Sequence, residues 1–340
     1  MKRFMLLLLP VAIITGCGES DTDTDTAEQP ASAQATLENI ITQTRAGNAG
    51  VYWEMLPDSY RKDVNELVHG FGANMDAGAY TGIMEVATSV QTLLDKQSQF
   101  IANSEQAKGM GGVEPAELEK GIKAVAALLK AIIDEAGSTE KLQQFDGQKF
   151  FAGNGSTVLK QAIALANMVK DSGAPGLDLS ALDGDVKVTT LKSTDTSADL
   201  EISANDEKIQ ETWVLHEGKW LPKDLVEGWS QMILTANSGM SNLKEDSKPL
   251  AAMVSSAKPA INLALGPLTQ AETQEQFDAA LKSVQGMLGM MPGLGGGGAG
   301  NPLDIFGFGG GSGNGSGPDS PEEPDGSFEL SPQEVPDADK

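Results

Sequence analysis

Apolar residues recur at helical spacing through most of the first half of the chain. The clearest stripe comprises Tyr60, Val64, Leu67, Val68, Phe71 and Met75, and its steps of three and four residues keep to one face of a helix. Three similar stripes follow, made of Ile83, Ala87, Val90, Leu94 and Ile101, of Leu118, Ile122, Val125, Leu129 and Ile132, and of Val158, Ala162, Leu165 and Val169. We therefore expect a packed array of helices between about residues 36 and 171.

The period changes to that of β-strands between residues 185 and 222. DVKVTTLK, ADLEIS and KIQETWVLH are alternating or β-branched segments, and the short segment KWLPK follows the turn HEGK. The connections TDTS and ANDE are too short for crossover helices, so the strands should pair in antiparallel fashion. The predicted fold class is therefore α+β and predominantly helical, a helical array with one small antiparallel sheet of three to four strands.

Helical spacing returns after the last strand. One apolar stripe runs from Leu225 to Leu243. We expect Pro259 to kink or split the helix that follows, because proline removes a backbone donor and clashes with the preceding turn. The final stripe, from Phe277 to Leu288, has Thr269 and Glu272 ahead of it at the spacing of a capping box.

The amino terminus has the three zones of an export signal. Lys2 and Arg3 precede an apolar run over residues 4–14, and small residues follow at Thr15 and Gly16. The run is shorter than the roughly 20 residues that span a bilayer as a helix. We therefore expect the chain to be exported and residues 1–16 to be removed as a signal peptide.

The end of this region, Ile14-Thr15-Gly16-Cys17, resembles the lipobox of bacterial lipoproteins. In that family the chain is cut before the cysteine, which receives acyl chains on its thiol and on its new amino group. The resemblance implies that acyl chains on Cys17, the only cysteine, make the membrane a partner. Gly18 in place of Asp implies passage to the outer membrane, where we expect the protein to face the periplasm. The alternative is a plain secretory signal with an incidental thiol.

Net charge narrows the range of partners. The chain carries 48 acidic and 24 basic side chains, for a formal net charge of -24. Phosphates of nucleic acids and anionic lipid headgroups repel such a chain. We therefore expect no nucleic-acid partner, and we attribute membrane attachment to the acyl chains alone.

Both ends of the mature chain are predicted to be disordered. Residues 17–35 form an acidic tether, because they lack the large apolar side chains that a core needs. Residues 292–340 form a Gly-rich and then acidic tail with one apolar island, Leu303-Asp304-Ile305-Phe306-Gly307-Phe308. We expect Ile305, Phe306 and Phe308 to act as a docking motif that orders only on a partner. A single mostly helical domain should occupy residues 36–291.

Candidate catalytic and metal-binding residues are few. Glu66 and His69 form an ExxH pair like half of a di-iron carboxylate site, but the helical spacing turns His69 away from the apolar stripe and toward water. The other histidine is His216. Two histidines on separate elements and an acylated cysteine do not make a zinc site of the usual kind. We expect no catalytic residue, no metal and no cofactor.

Three tryptophans, Trp213, Trp220 and Trp229, lie close together in the sequence. Aromatic rings stack on sugars, so these residues are a candidate ligand or partner surface. The interpretation that we favour is that they pack the hairpin onto the next helix.

Two segments resemble known lipoproteins. WVLHEGKW is similar to the terminal hairpin of NTF2-like lipoprotein domains, where a Trp, a Gly turn and a second Trp recur, although here long helices follow the hairpin. LPDSYRKDVNELVHGFGANMD resembles a segment of uncharacterised bacterial lipoproteins. The second resemblance agrees with the outer-membrane location that the lipobox implies, and it implies no activity.

These observations predict a non-catalytic outer-membrane lipoprotein that acts as an envelope binding or scaffold module for another envelope protein. The second hypothesis is a periplasmic carrier or chaperone that shelters an apolar ligand, and the third is an enzyme of unrecognised type. A docking module requires an exposed apolar patch, whereas a carrier requires an apolar cavity. An enzyme requires converging polar groups with shifted pKa values.

Overall fold

The computed structural model describes residues 31–109, 114–172, 185–204 and 207–289, which form a predominantly helical α+β fold. Within these residues, the helices before the sheet are α1 (Ala33–Arg45), α2 (Gly50–Glu54), α3 (Asp58–Asn74), α4 (Ala77–Asn103), α5 (Glu105–Gly109), α6 (Pro115–Ala136), α7 (Thr139–Gln143), α8 (Gly147–Ala152) and α9 (Asn154–Ser172). The strands are β1 (Lys187–Ser193), β2 (Ser197–Ala204), β3 (Glu207–His216) and β4 (Lys219–Pro222). The last helices are α10 (Lys223–Met240), α11 (Leu243–Thr269) and α12 (Gln274–Gly289).

The ends of several helices follow from capping side chains. Helix α1 begins at Ala33 because Ser32 Oγ accepts a hydrogen bond from the Ala35 amide at 3.2 Å. The helix therefore starts inside the stretch 17–35 that was assigned to the tether. Helix α6 has Pro115 in its first turn and ends before Gly137.

The predicted capping box ahead of the last helix is wrong. Thr269 is the last residue of α11, and its hydroxyl donates to the carbonyl of Leu265 at 2.8 Å. The cap of α12 is Thr273 instead, whose hydroxyl oxygen accepts from the Gln276 amide at 3.3 Å. The apolar stripe placed the helix correctly, but a capping residue four positions later fixes where it begins.

Helix α11 is continuous, so the prediction that Pro259 splits it is wrong. Pro249, Pro259 and Pro267 all lie within the helix, and all three side chains are exposed. The opposite side packs on α4, where a Cβ on Gly82 would approach Val254 Cγ1 to 2.6 Å. Close packing on one side holds the helix together, while water can solvate the backbone groups that each proline leaves unbonded on the other.

The four strands form one antiparallel sheet in the order β1-β2-β3-β4, within the predicted segment 185–222. A tight turn joins β3 to β4, with positive φ values of 48° at Glu217 and 76° at Gly218. Two consecutive residues with positive φ match the twist of a two-residue hairpin. Glycine adopts this conformation readily, whereas Glu217 is strained and is held by contacts described below.

Two clusters of buried apolar residues form the core. The larger lies between the sheet and the neighbouring helices and includes Tyr80 near the start of α4. The smaller surrounds the second half of α4 and includes Leu94, Ile122 and Phe277. Helix α4 therefore contributes to both clusters. Its main helical neighbours are α6 and α11, and α4 is the principal neighbour of α11.

Candidate functional site

The three tryptophans that the sequence marked as a candidate surface are buried. Trp213 in β3 is 1% exposed, Trp220 in β4 is 7% exposed and Trp229 in α10 is 6% exposed. All three belong to the larger core cluster. The indole rings therefore offer no accessible stacking surface. Their burial agrees with the interpretation that they pack the hairpin onto the next helix.

Trp229 joins α10 to α3 through a stacked pair of rings. Its ring lies 4.0 Å from that of Tyr60, with 1° between the planes, and its Nε1 donates to Asp63 Oδ2 at 2.7 Å. Burial raises the pKa of the Tyr60 phenol, and the nearby carboxylates of Glu217 and Asp63 raise it further. The offset aromatic pair and the hydrogen bond fix the angle between the two helices.

The strained turn is connected to the same helix. Ser59 Oγ lies 2.9 Å and 2.8 Å from the two carboxylate oxygens of Glu217, and the His216 ring lies 5.5 Å from that of Tyr60. His216 Nε2 lies 3.5 Å from Glu217 Oε1. These contacts hold the turn against α3, which explains how a non-glycine residue persists at positive φ.

A half-buried carboxyl, that of Glu211, lies beside Trp213. The Trp213 Nε1 donates to Glu211 Oε2 at 2.9 Å. Burial raises the pKa of Glu211; the hydrogen bond from Trp213 partly opposes this, and the charge of Asp224 adds to it. The environment therefore favours the protonated form of Glu211 more than water does.

The prediction that His69 faces water is wrong. Its ring is half-buried, and Nε2 lies 2.6 Å from the carbonyl oxygen of Phe145. The segment that leads into α8 covers this side of α3, which sequence spacing along α3 does not reveal. Within the described ranges, no group of three or more His, Cys, Asp or Glu side chains could hold a metal ion.

The outward side of α11 carries a stripe of uncharged residues that are apolar except for Ser256. Its members are all exposed and recur every three or four residues, and we call them the α11 stripe: Pro249, Ala252, Met253, Ser256, Pro259, Ala260, Leu263 and Pro267. At about 100° per residue they fall within an arc of about 120°. Met253 and Leu263 are each 64% exposed.

The α11 stripe carries no charge. Lys258 is the only charged residue between Pro249 and Pro267. It lies on the side of the helix that faces α4, where its Nζ approaches Glu85 Oε2 to 2.5 Å. An uncharged apolar stripe is unusual on the surface of a chain with 48 acidic side chains.

The α11 stripe was not predicted from the sequence, because Pro259 was expected to kink or split the helix. The signal was nevertheless present in the spacing of the apolar residues and in the single charge over nineteen positions. A helix drawn straight through the proline would have placed the stripe on one face.

The remaining predicted site residues lie outside the part of the chain that the structure describes. These are Cys17 at the predicted anchor and Ile305, Phe306 and Phe308 in the apolar island. None of the described helices has the length and apolar composition needed to cross a bilayer. No protein family, no curated protein and no solved structure matches this chain.

Proposed function

We propose that this chain is a non-catalytic outer-membrane lipoprotein that binds another protein of the cell envelope through the α11 stripe. Cys17 would be the lipidated residue, and the acyl chains would anchor the protein on the periplasmic side of the membrane. The observation that supports the binding role is the α11 stripe, an exposed and uncharged apolar face on a strongly acidic chain. The largest apolar patch on a monomeric protein is often a functional surface.

The size of the stripe favours a weak and transient contact. A helix face from Pro249 to Pro267 is about 27 Å long and about 10 Å wide, which gives an area of about 300 Å². A stable interface buries about 800 Å² on each partner. Confinement of both proteins to the envelope would raise their effective concentration and compensate for the small area.

A photo-crosslinking amino acid at Met253 or Leu263 in intact cells tests this function. We expect both positions to give the same protein adduct. The control position is Leu191 on β1, which is also exposed, at 50%. Cys17→Ala should release the protein from the membrane and reduce the yield of the adduct.

Three results would contradict the proposal. Equal adducts from Leu191 would show that the stripe has no special role. Adducts to lipid or another small molecule would instead favour the carrier hypothesis. Membrane retention and normal maturation of Cys17→Ala would refute the lipid anchor.

A further inference from the structure

We propose that the apolar island of the same chain, Leu303 to Phe308, occupies the α11 stripe when no partner is bound, in place of the expectation that the island orders only on a partner. The inference rests on the proposed function only in assigning binding to the same stripe. It names the resting occupant and makes partner binding a competition. The island lies outside the described residues, and its sequence and the length of chain that leads to it support this placement.

The area of the α11 stripe favours a segment of the same chain over a second copy as its occupant. About 300 Å² of helix face is well below the roughly 800 Å² that each copy contributes to a stable dimer. A second copy would also bring a further formal charge of -24 into contact. A segment joined to the same chain meets neither obstacle, because a short flexible linker gives an effective concentration in the mM range.

The chain between α12 and the island is long enough to bring the island to the α11 stripe. Leu263 and Gly289 are connected through the end of α11, four linking residues and α12. Whatever the direction of α12, helix rise and extended-chain length place these residues at most about 50 Å apart. The seventeen residues from Gly289 to Phe306 span up to about 58 Å. The island can therefore reach the stripe.

The length of the island suits the spacing of the two largest side chains of the α11 stripe. Met253 and Leu263 are ten residues apart on α11, so about 15 Å separates them along the helix axis. The stripe residues between them are Ser256, Pro259 and Ala260, whose side chains are shorter than those of Met253 and Leu263. Six residues in extended form span up to about 20 Å, which is enough to contact both Met253 and Leu263.

Charge is compatible with this placement. The island contains one acidic residue, Asp304, and the acidic end of the tail begins only at Asp319. Docking of the island therefore leaves the dense negative charge away from α11. The tail would cover the stripe until a partner with a larger apolar face displaces it.

The test uses the full-length protein with a benzophenone amino acid in place of Phe306. We expect irradiation of the purified protein to link this position to residues 249–267 of the same molecule. An equal mixture of ¹⁴N- and ¹⁵N-labelled chains distinguishes crosslinks within one molecule from crosslinks between two. Replacement of both Met253 and Leu263 by Glu should reduce the yield about tenfold, because the docked island would then desolvate two charges.

The matched control is Leu191→Glu, which places the same charge on an exposed leucine of β1 and should leave the yield unchanged. Circular dichroism of each variant checks that the helices persist. Crosslinks to other parts of the chain, mixed-isotope crosslinks or an absence of crosslinks would each overturn the inference. In-cell adducts from Met253 that persist in such a case would leave the proposed function standing. If Met253 gives no protein adduct in cells but the crosslink from position 306 to residues 249–267 forms, the proposed function is refuted and this inference stands.

Discussion

Gly147 tests whether the packing of α2 against α8 is as close as the structure shows. A Cβ added at this position would lie 2.2 Å from Cη2 and Cζ3 of Trp53. Carbon atoms in contact are about 3.5–4.0 Å apart, so the indole would have to move by about 1.3 Å or more. Trp53 is 4% exposed and its ring stacks on Phe151 at 5.6 Å. The ring therefore has little room to retreat.

Gly147→Ala should lower the free energy of unfolding by about 1–3 kcal/mol, the usual effect of overpacking a core. For a domain of this size each kcal/mol corresponds to about 2–4 °C in the melting temperature. We therefore expect thermal unfolding followed by circular dichroism to show a fall of roughly 2–12 °C. Gly147 does not have a positive φ, so alanine introduces no backbone strain that would complicate the result.

Gly228→Ala is the matched control. Gly228 lies in α10, and a Cβ there would meet nothing within 4 Å. Alanine should therefore stabilise the helix by about 0.5–1 kcal/mol. Trp53→Leu should largely remove the effect of Gly147→Ala, because the clashing ring is then gone. A melting temperature for Gly147→Ala equal to or above that of the unmodified protein would refute the packing argument.

Two ionisable side chains give further predictions. Burial raises the pKa of Glu211 above 4.5, so its contribution to stability falls as the pH rises above that value. Glu211→Gln should be more stable than the unmodified protein in urea at pH 7, with a difference that disappears toward about pH 4; a constant difference would contradict this. Burial raises the pKa of Tyr80 to about 12, so Tyr80→Phe should remove the tyrosinate absorbance that develops near that pH. Loss of its 2.6 Å bond to the Ala136 carbonyl should destabilise the fold by about 1–3 kcal/mol; an early titration or an unchanged stability would be inconsistent with a buried phenol.

The sequence predicted the elements well wherever the signal was local. The stripe residues from Tyr60 to Phe71 lie on one helix, which ends just before Met75, and the alternating segments between residues 185 and 222 pair as an antiparallel sheet. Side-chain periodicity depends only on backbone geometry, so these assignments did not need knowledge of the neighbours.

The predictions failed where a distant part of the chain decides the outcome. His69 is covered by Phe145, which lies 76 positions later. Helix α11 passes through Pro259 because α4 packs on its opposite side. Neither contact can be predicted from the spacing of residues along one helix. The α11 stripe was missed because Pro259 was expected to interrupt the helix.

The length of α4 has a consequence for how the domain unfolds. This helix contributes Tyr80 to one apolar cluster and Leu93, Leu94 and Ile101 to the other. A helix can fray at its ends, but melting its middle removes the hydrogen bonds of many residues together. Hydrogen exchange should therefore report the two clusters as one cooperative unit, whose slowest amides lie in the middle of α4.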